Sequence, residues 1–209
     1  MALSIETWLA LPAGYVLGSI PFGLILAKVL GGKDVRQHGS GNIGATNVSR
    51  VAGPLAGVLT LLLDAGKGAA AVMLSARFTG QNATAMMVAG LAALAGHCFS
   101  VWLGLKGGKG VATGLGVFAA LCPLAAVSGF VVFVLVFLSW RYVSLASVVA
   151  AAVLPVCTYL LYAPGTRHAP PLSVSLSTAL VSTLIIVKHR ENLRRLLAGS
   201  ENRLKFGGR

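Results

Sequence analysis

From Val111 to Trp140 the chain runs for thirty residues without a charged side chain, and basic residues stand at both ends, Lys106 and Lys109 before it and Arg141 after it. As one straight helix this run would be about 45 Å long, against a hydrocarbon core of about 30 Å. Basic residues collect on the cytoplasmic side of a membrane, so both ends belong there. A single crossing cannot meet that condition. The run is therefore expected to break near Cys122-Pro123 into two short or re-entrant helices.

Five further apolar stretches fit a bilayer: about Ile5 to Val29, Pro54 to Phe78, Ala83 to Leu105, Val143 to Tyr162 and Leu172 to Val187. Pro21 removes a backbone donor from the first and must loosen it. The turn between the last two is 163–171. Charged residues are only 11% of the chain, where soluble domains run near ~25%. The fold class expected is all-α, a polytopic integral membrane protein of seven membrane segments, some short or re-entrant, N-terminus outside and C-terminus cytoplasmic. No long polar linker divides it, so residues 1–209 read as one membrane-embedded domain. The first apolar run lacks a basic region before it and does not read as a cleaved signal peptide.

The net charge of +12 argues for anionic lipid and anionic substrates, since the cations border apolar spans and do not cover a soluble face. Nucleic acid is not an expected partner. In the seven-segment arrangement, 15 of the 17 Lys and Arg residues lie on or near the cytoplasmic side, all but Arg77 and Arg167. The acids Glu6, Asp34, Asp64, Glu191 and Glu201 are too scattered for a carboxylate metal cage. Cys98, Cys122 and Cys157 sit in apolar runs without CxxC spacing and read as buried thiols; no metal site is expected.

Against this background, residues 38–50 (His-Gly-Ser-Gly-Asn-Ile-Gly-Ala-Thr-Asn-Val-Ser-Arg) stand out. Gly39, Gly41 and Gly44 let backbone N–H groups turn toward an anion. Ser40, Asn42, Thr46 and Asn47 add neutral hydrogen-bond partners, and Arg50 adds a forked cation. A helix starting near Thr46 would carry Arg50 back over Thr46 and Asn47. This reads as a phosphate site at a membrane surface; the alternative is a tight interhelical turn whose glycines serve packing. Lys106-Gly107-Gly108-Lys109-Gly110 is a second glycine-cation loop. Asp64 and Lys67 share a helix face at membrane depth, where charges are paired or functional. A histidine in an apolar run, as His97 is, is more often a buried, satisfied ring than a catalyst. Ser144 and Ser147 share a face after Arg141, and His189 opens a basic tail. In the seven-segment arrangement the 38–50 loop, the Lys109 loop, the Ser144/Ser147 turn and the His189 tail converge on the cytoplasmic face, which suggests a composite site.

Several familiar patterns fail. Gly39-x-Gly41-x-x-Gly44 lacks the strand and βαβ unit of a dinucleotide fingerprint, and the Lys109 loop has Gly110 where a P-loop needs Ser or Thr. The His-x4-Asp base of common lipid acyltransferases is absent: Ile43 follows His38 at that distance, and Trp102 follows His97.

The set Gly18-Ser19-Ile20-Pro21-Phe22-Gly23, Gly39 to Asn47 with Arg50, Gly96-His97 with Lys106 to Thr113, Ser144-Leu145-Ala146-Ser147 and His189-Arg190-Glu191-Asn192 resembles, in order and over nearly the whole chain, the acyl-phosphate-dependent glycerol-3-phosphate acyltransferases of bacteria, the PlsY family. It departs at Ser100, where proline is expected, and at Gly66, where leucine is expected. The resemblance implies transfer of a fatty acyl group from acyl phosphate to position 1 of sn-glycerol 3-phosphate, giving lysophosphatidic acid and phosphate in the bacterial inner membrane, with the active site cytoplasmic. No cofactor is implied; the enzyme that makes acyl phosphate is an implied upstream partner. Acyl phosphate is a mixed anhydride with a good leaving group, so the protein must supply positioning and charge stabilisation. Ser40, Arg50, Lys109 and His189 are assigned to catalysis. Gly41, Asn42, Gly44, Thr46, Asn47, Gly107, Gly108, Ser144, Ser147 and Asn192 are assigned to binding phosphate and glycerol. No residue stands out as a base, which leaves a phosphate oxygen of the donor to take the hydroxyl proton. A transporter of an anionic organophosphate also suits broken helices with cations; against it, no internal repeat is visible and the polar residues collect at one face. A purely structural membrane subunit leaves the glycine-cation loops unexplained.

Overall fold

The computed structural model describes residues 5–162 and 172–204. The 163–171 turn and Arg167 fall outside them. Among the described residues ten α-helices follow in chain order: α1 Ile5–Ser19, α2 Phe22–Gly31, α3 Ala45–Ala52, α4 Pro54–Phe78, α5 Ala83–Cys98, α6 Val111–Leu121, α7 Pro123–Trp140, α8 Val143–Leu161, α9 Leu172–Lys188 and α10 Arg190–Leu197. No strand occurs among the described residues.

The boundaries follow local chemistry. Pro21 splits the first span into α1 and α2, and Pro123 separates α6 from α7 where the thirty-residue run was expected to break. Asn82 caps α5 by accepting the N–H of Ala85 at 3.0 Å. Among the described residues five spans are long and apolar enough to cross a bilayer: Trp8–Gly31 (α1 with α2), α4, Ala83–Leu103 (α5 with the short turn after it), α7 and α8. The count rises to six if α9 and α10, bent by 54° at His189, are taken together. At 11 residues α6 is only about 16 Å long, too short to cross alone.

Burial is inverted relative to a soluble protein. Leu62, Met73, Leu135 and Leu160 are 60% exposed or more, while Thr60, Asp64 and Lys67 are buried. The exposed leucines face what a bilayer would occupy; the polar groups face other helices. Small residues bring the helices together. A Cβ on Gly14 or Gly18 of α1 would run into the backbone of Ala89 or Ala93 of α5, and one on Gly116 of α6 into that of Ala65 of α4. By contrast Gly66, one of the two departures from the family pattern, faces open space, so the missing side chain costs no packing.

The chain forms two compact units, Met1–Leu121 and Cys122–Arg209, described separately below.

Candidate active site

In the first unit the 38–44 loop is shaped by one side chain. Asn47, in the first turn of α3 and 2% exposed, donates its amide hydrogens to the carbonyls of Val35, His38 and Asn42 at 3.2, 3.1 and 2.8 Å. Its Oδ1 accepts the N–H of Ser40 at 2.9 Å. Gly39 and Gly41 take φ of 61° and 70°, the left-handed region, to complete the curl, and a Cβ on Gly39 would strike the Asn47 amide. Asn42 Oδ1 accepts the N–H of Gly44 at 2.8 Å, and the N–H of Gly41 reaches His38 O at 3.1 Å.

These bonds narrow the anion-nest expectation. The N–H groups of Ser40, Gly41 and Gly44 bind inside the loop, and Asn47 is committed to holding it. Other donors remain. Gly44 precedes α3 without a capping side chain, so the first-turn N–H groups of Ala45 and Thr46 belong to a positive helix end. The Ser40 and Arg50 side chains are exposed and Thr46 is half-buried. Among the described residues no carboxylate pairs with Arg50. Asp34, between α2 and α3, is held by Arg36, whose Nε and Nη2 lie 2.9 and 2.6 Å from its carboxylate oxygens. That guanidinium keeps the Asp34 carboxyl well below the usual carboxylate range.

The second loop shows the same economy. Gly107 and Gly108 donate their N–H groups to Cys98 O and His97 O at 3.2 and 3.0 Å, closing carbonyls that the end of α5 leaves open. Their expected direct role toward substrate is thus narrowed to setting the backbone before Lys109, which is half-buried. A Cβ on Gly108 would meet the His97 imidazole, so the loop lies directly on that ring.

Beneath these loops runs a buried polar chain. Lys67 Nζ lies 2.8 Å from Asp64 Oδ1, with the two side chains 1% and 3% exposed. It also donates to Ile20 O at 2.8 Å, a carbonyl at the α1–α2 break. His97 Nδ1 stands 3.6 Å from the same Asp64 oxygen. Ser100, the other departure from the family pattern, donates to Ser19 O at 2.6 Å and serves the same break. Sequence spacing paired Asp64 with Lys67 but gave no sign that His97 joins them.

In the second unit Glu201 gathers two expected site residues. Its Oε1 accepts from Ser144 Oγ at 2.7 Å and Asn192 Nδ2 at 2.6 Å, and its Oε2 from Arg195 Nε at 2.7 Å. Burial alone would raise its pKa; the hydrogen bonds from Asn192, Ser144 and Arg195 outweigh that and lower it. In the sequence Glu201 is one of five scattered acids. The signal for it is a carboxylate, one of two with Glu191, inside a basic tail. Ser147 spends its hydroxyl hydrogen on Val143 O at 2.8 Å, in its own helix. His189, 3% exposed, places Nδ1 2.8 Å from Ile185 O, which can only accept; Nδ1 therefore carries a proton, and in the neutral ring Nε2 is an acceptor.

Comparison with known proteins bears on this arrangement. The profile of a family described as glycerol-3-phosphate acyltransferase matches residues 8–199. The chain is 46% identical over 198 residues to a glycerol-3-phosphate acyltransferase of Syntrophotalea carbinolica, covering 95% of this chain and 97% of that one. It is 48% identical over 198 residues to one of Trichlorobacter lovleyi, covering 95% and 96%. Among solved structures it is similar to PlsY, an integral membrane glycerol 3-phosphate acyltransferase, in its glycerol 3-phosphate form, with TM-score 0.87, 40% identity and coverage of 95% and 96%. Against the lysophosphatidic acid form the TM-score is 0.83 at 38% identity, with 95% of each chain covered.

Proposed function

Since the chain belongs to the glycerol-3-phosphate acyltransferase family, an integral membrane enzyme family, we propose that its acyl donor is acyl phosphate and its product 1-acyl lysophosphatidic acid. The observation that carries the donor assignment is the chemistry of the two loops: they combine cations, hydroxyls and a helix start, and the His-x4-Asp motif of other lipid acyltransferases is absent from the sequence. That set suits two phosphate-bearing substrates.

In this reading Arg50 and Lys109 hold phosphate, with the Ser40 and Thr46 hydroxyls and the α3 N-terminus completing the cradle. Asn47 and Asn42 position the loop. His189 and Asn192 orient glycerol phosphate, and Ser144 and Glu201 hold Asn192 in place. The C1 hydroxyl oxygen of glycerol 3-phosphate attacks the acyl carbonyl carbon. The new C–O bond forms as the bond from that carbon to the phosphate oxygen breaks, and phosphate leaves carrying the hydroxyl proton. The cations stabilise the charge that gathers on the leaving group. The enzyme acts as one domain of seven membrane segments in the bacterial inner membrane, N-terminus outside, with α6 short, α7 long enough to cross by itself, and the site on the cytoplasmic side. The acyl-phosphate-forming enzyme is its upstream partner.

The test uses purified protein in proteoliposomes given radiolabelled glycerol 3-phosphate and palmitoyl phosphate. Labelled lysophosphatidic acid with release of one phosphate per product supports the reading. Accumulation of unmodified glycerol phosphate inside the vesicles would assign a transporter instead.

A further inference from the structure

We propose that the buried Lys67–Asp64–His97 chain is the positioning device for the two glycine loops, with His97 acting on substrate only through Gly108 and Lys109. This rests on the reading of Lys109 as a phosphate ligand.

Asp64 and Lys67 lie in the middle of α4, almost wholly removed from solvent. Replacing such a pair by apolar residues is often neutral or stabilising, so stability alone is a poor reason to keep one. Its two ends show what else it does. At one end Lys67 holds Ile20 O and lies 5.8 Å from the centre of the Phe22 ring, pinning the α1–α2 break. The next residue, Gly23, packs so closely on Ile43 O that a Cβ there would overlap it, and Ile43 belongs to the 38–44 loop. At the other end His97 turns Nδ1 toward Asp64 and the Nε2 edge toward Gly108. Its own carbonyl accepts the Gly108 N–H at 3.0 Å. The imidazole is thus clasped between a fixed carboxylate and the backbone one residue before Lys109. A bulky ring held this way sets the height of the loop, and Gly108 must be glycine because the ring already fills the place of a Cβ. His97 is a positioning residue in this account. It is buried at 4% exposure and faces Asp64 and Gly108.

The experiment measures kcat, KM for glycerol 3-phosphate and palmitoyl phosphate, and detergent melting temperature for H97N, H97Q, K109A and H97N/K109A in the full chain. Asn reaches only as far as Nδ1 and keeps the Asp64 side; Gln reaches as far as Nε2 and keeps the prop under Gly108. H97N should lose about 10- to 50-fold in kcat/KM through a displaced loop, and H97Q should recover most of it. In the K109A background the H97N loss should vanish, because both act through one side chain.

Wild-type kcat/KM in K109A would end the Lys109 reading, and this inference with it. A loss in K109A with an additive H97N effect, or with H97N more active than H97Q, would overturn the positioning role and leave the Lys109 reading standing. Failure of both His97 variants to accumulate as folded protein would make the chain a folding element and also overturn the proposal.

Discussion

Ser144 and Glu201 lie 57 positions apart and are joined by a hydrogen bond of 2.7 Å from the serine hydroxyl to the carboxylate. Asn192 and Arg195 converge on the same carboxylate, so the start of α8, the middle of α10 and the C-terminal tail depend on one charge. Glu201→Gln keeps the size and removes the charge. Hydrogen bonds to an ionised group contribute about 1.5–3 kcal/mol, so the variant should lose about 2–3 kcal/mol of stability and melt several degrees lower in detergent. An unchanged melting temperature would show that the tail is not held this way.

The same carboxylate gives a pH dependence with a defined sign. Its pKa is lowered in the folded protein, so the stability it contributes is fully present above the unfolded value, about 4.3 for Glu, and is lost as pH falls through the folded value. Asp34, lowered by Arg36, follows the same direction. The melting-temperature difference between wild type and Glu201→Gln should be constant from about pH 8 to pH 5.5 and close only below about pH 4. A gap that closes near neutrality would point to a different group.

Asn47 is the keystone of the first loop. Asn47→Asp still accepts from Ser40 but turns an oxygen toward the carbonyls of Val35, His38 and Asn42. Losing the buried donors should cost about 2–4 kcal/mol locally and more than about 100-fold in kcat/KM, with faster amide exchange confined to residues 38–44. Exchange unchanged in that loop would contradict the keystone role.

Much of this was legible in the chain. The helix breaks at Pro21 and Pro123, the α3 start beside Thr46 and the span Pro54–Phe78 follow from proline chemistry and hydropathy, which act locally. The glycine loops were found for a partly different reason than the one the structure gives. Their residues mark the site, but most of their N–H groups close the loop itself, because which acceptor a turn's amide meets depends on neighbours distant in sequence. The His97–Asp64 approach and the Glu201 hub were invisible for the same reason: they join residues 33 and up to 57 positions apart.

Arg50 separates a phosphate ligand from a membrane anchor. It is exposed at the end of α3, and among the described residues no carboxylate pairs with it. Arg50→Lys keeps the charge and loses the two-pronged fork. The expected loss is about 2–3 kcal/mol of transition-state binding, tens- to a hundredfold in kcat/KM, at an unchanged melting temperature. An anchor needs only a long stem and a charge, so full activity in the lysine variant would remove Arg50 from the site.

The donor is the central claim, and one comparison tests it most directly. Purified protein is given radiolabelled glycerol 3-phosphate with palmitoyl phosphate, palmitoyl-CoA or palmitoyl-acyl carrier protein at equal concentration, and labelled lysophosphatidic acid is counted. A site of cations and hydroxyls without the His-x4-Asp motif predicts product from palmitoyl phosphate and background from both thioesters. Turnover of palmitoyl-CoA at a rate comparable to palmitoyl phosphate would contradict the account.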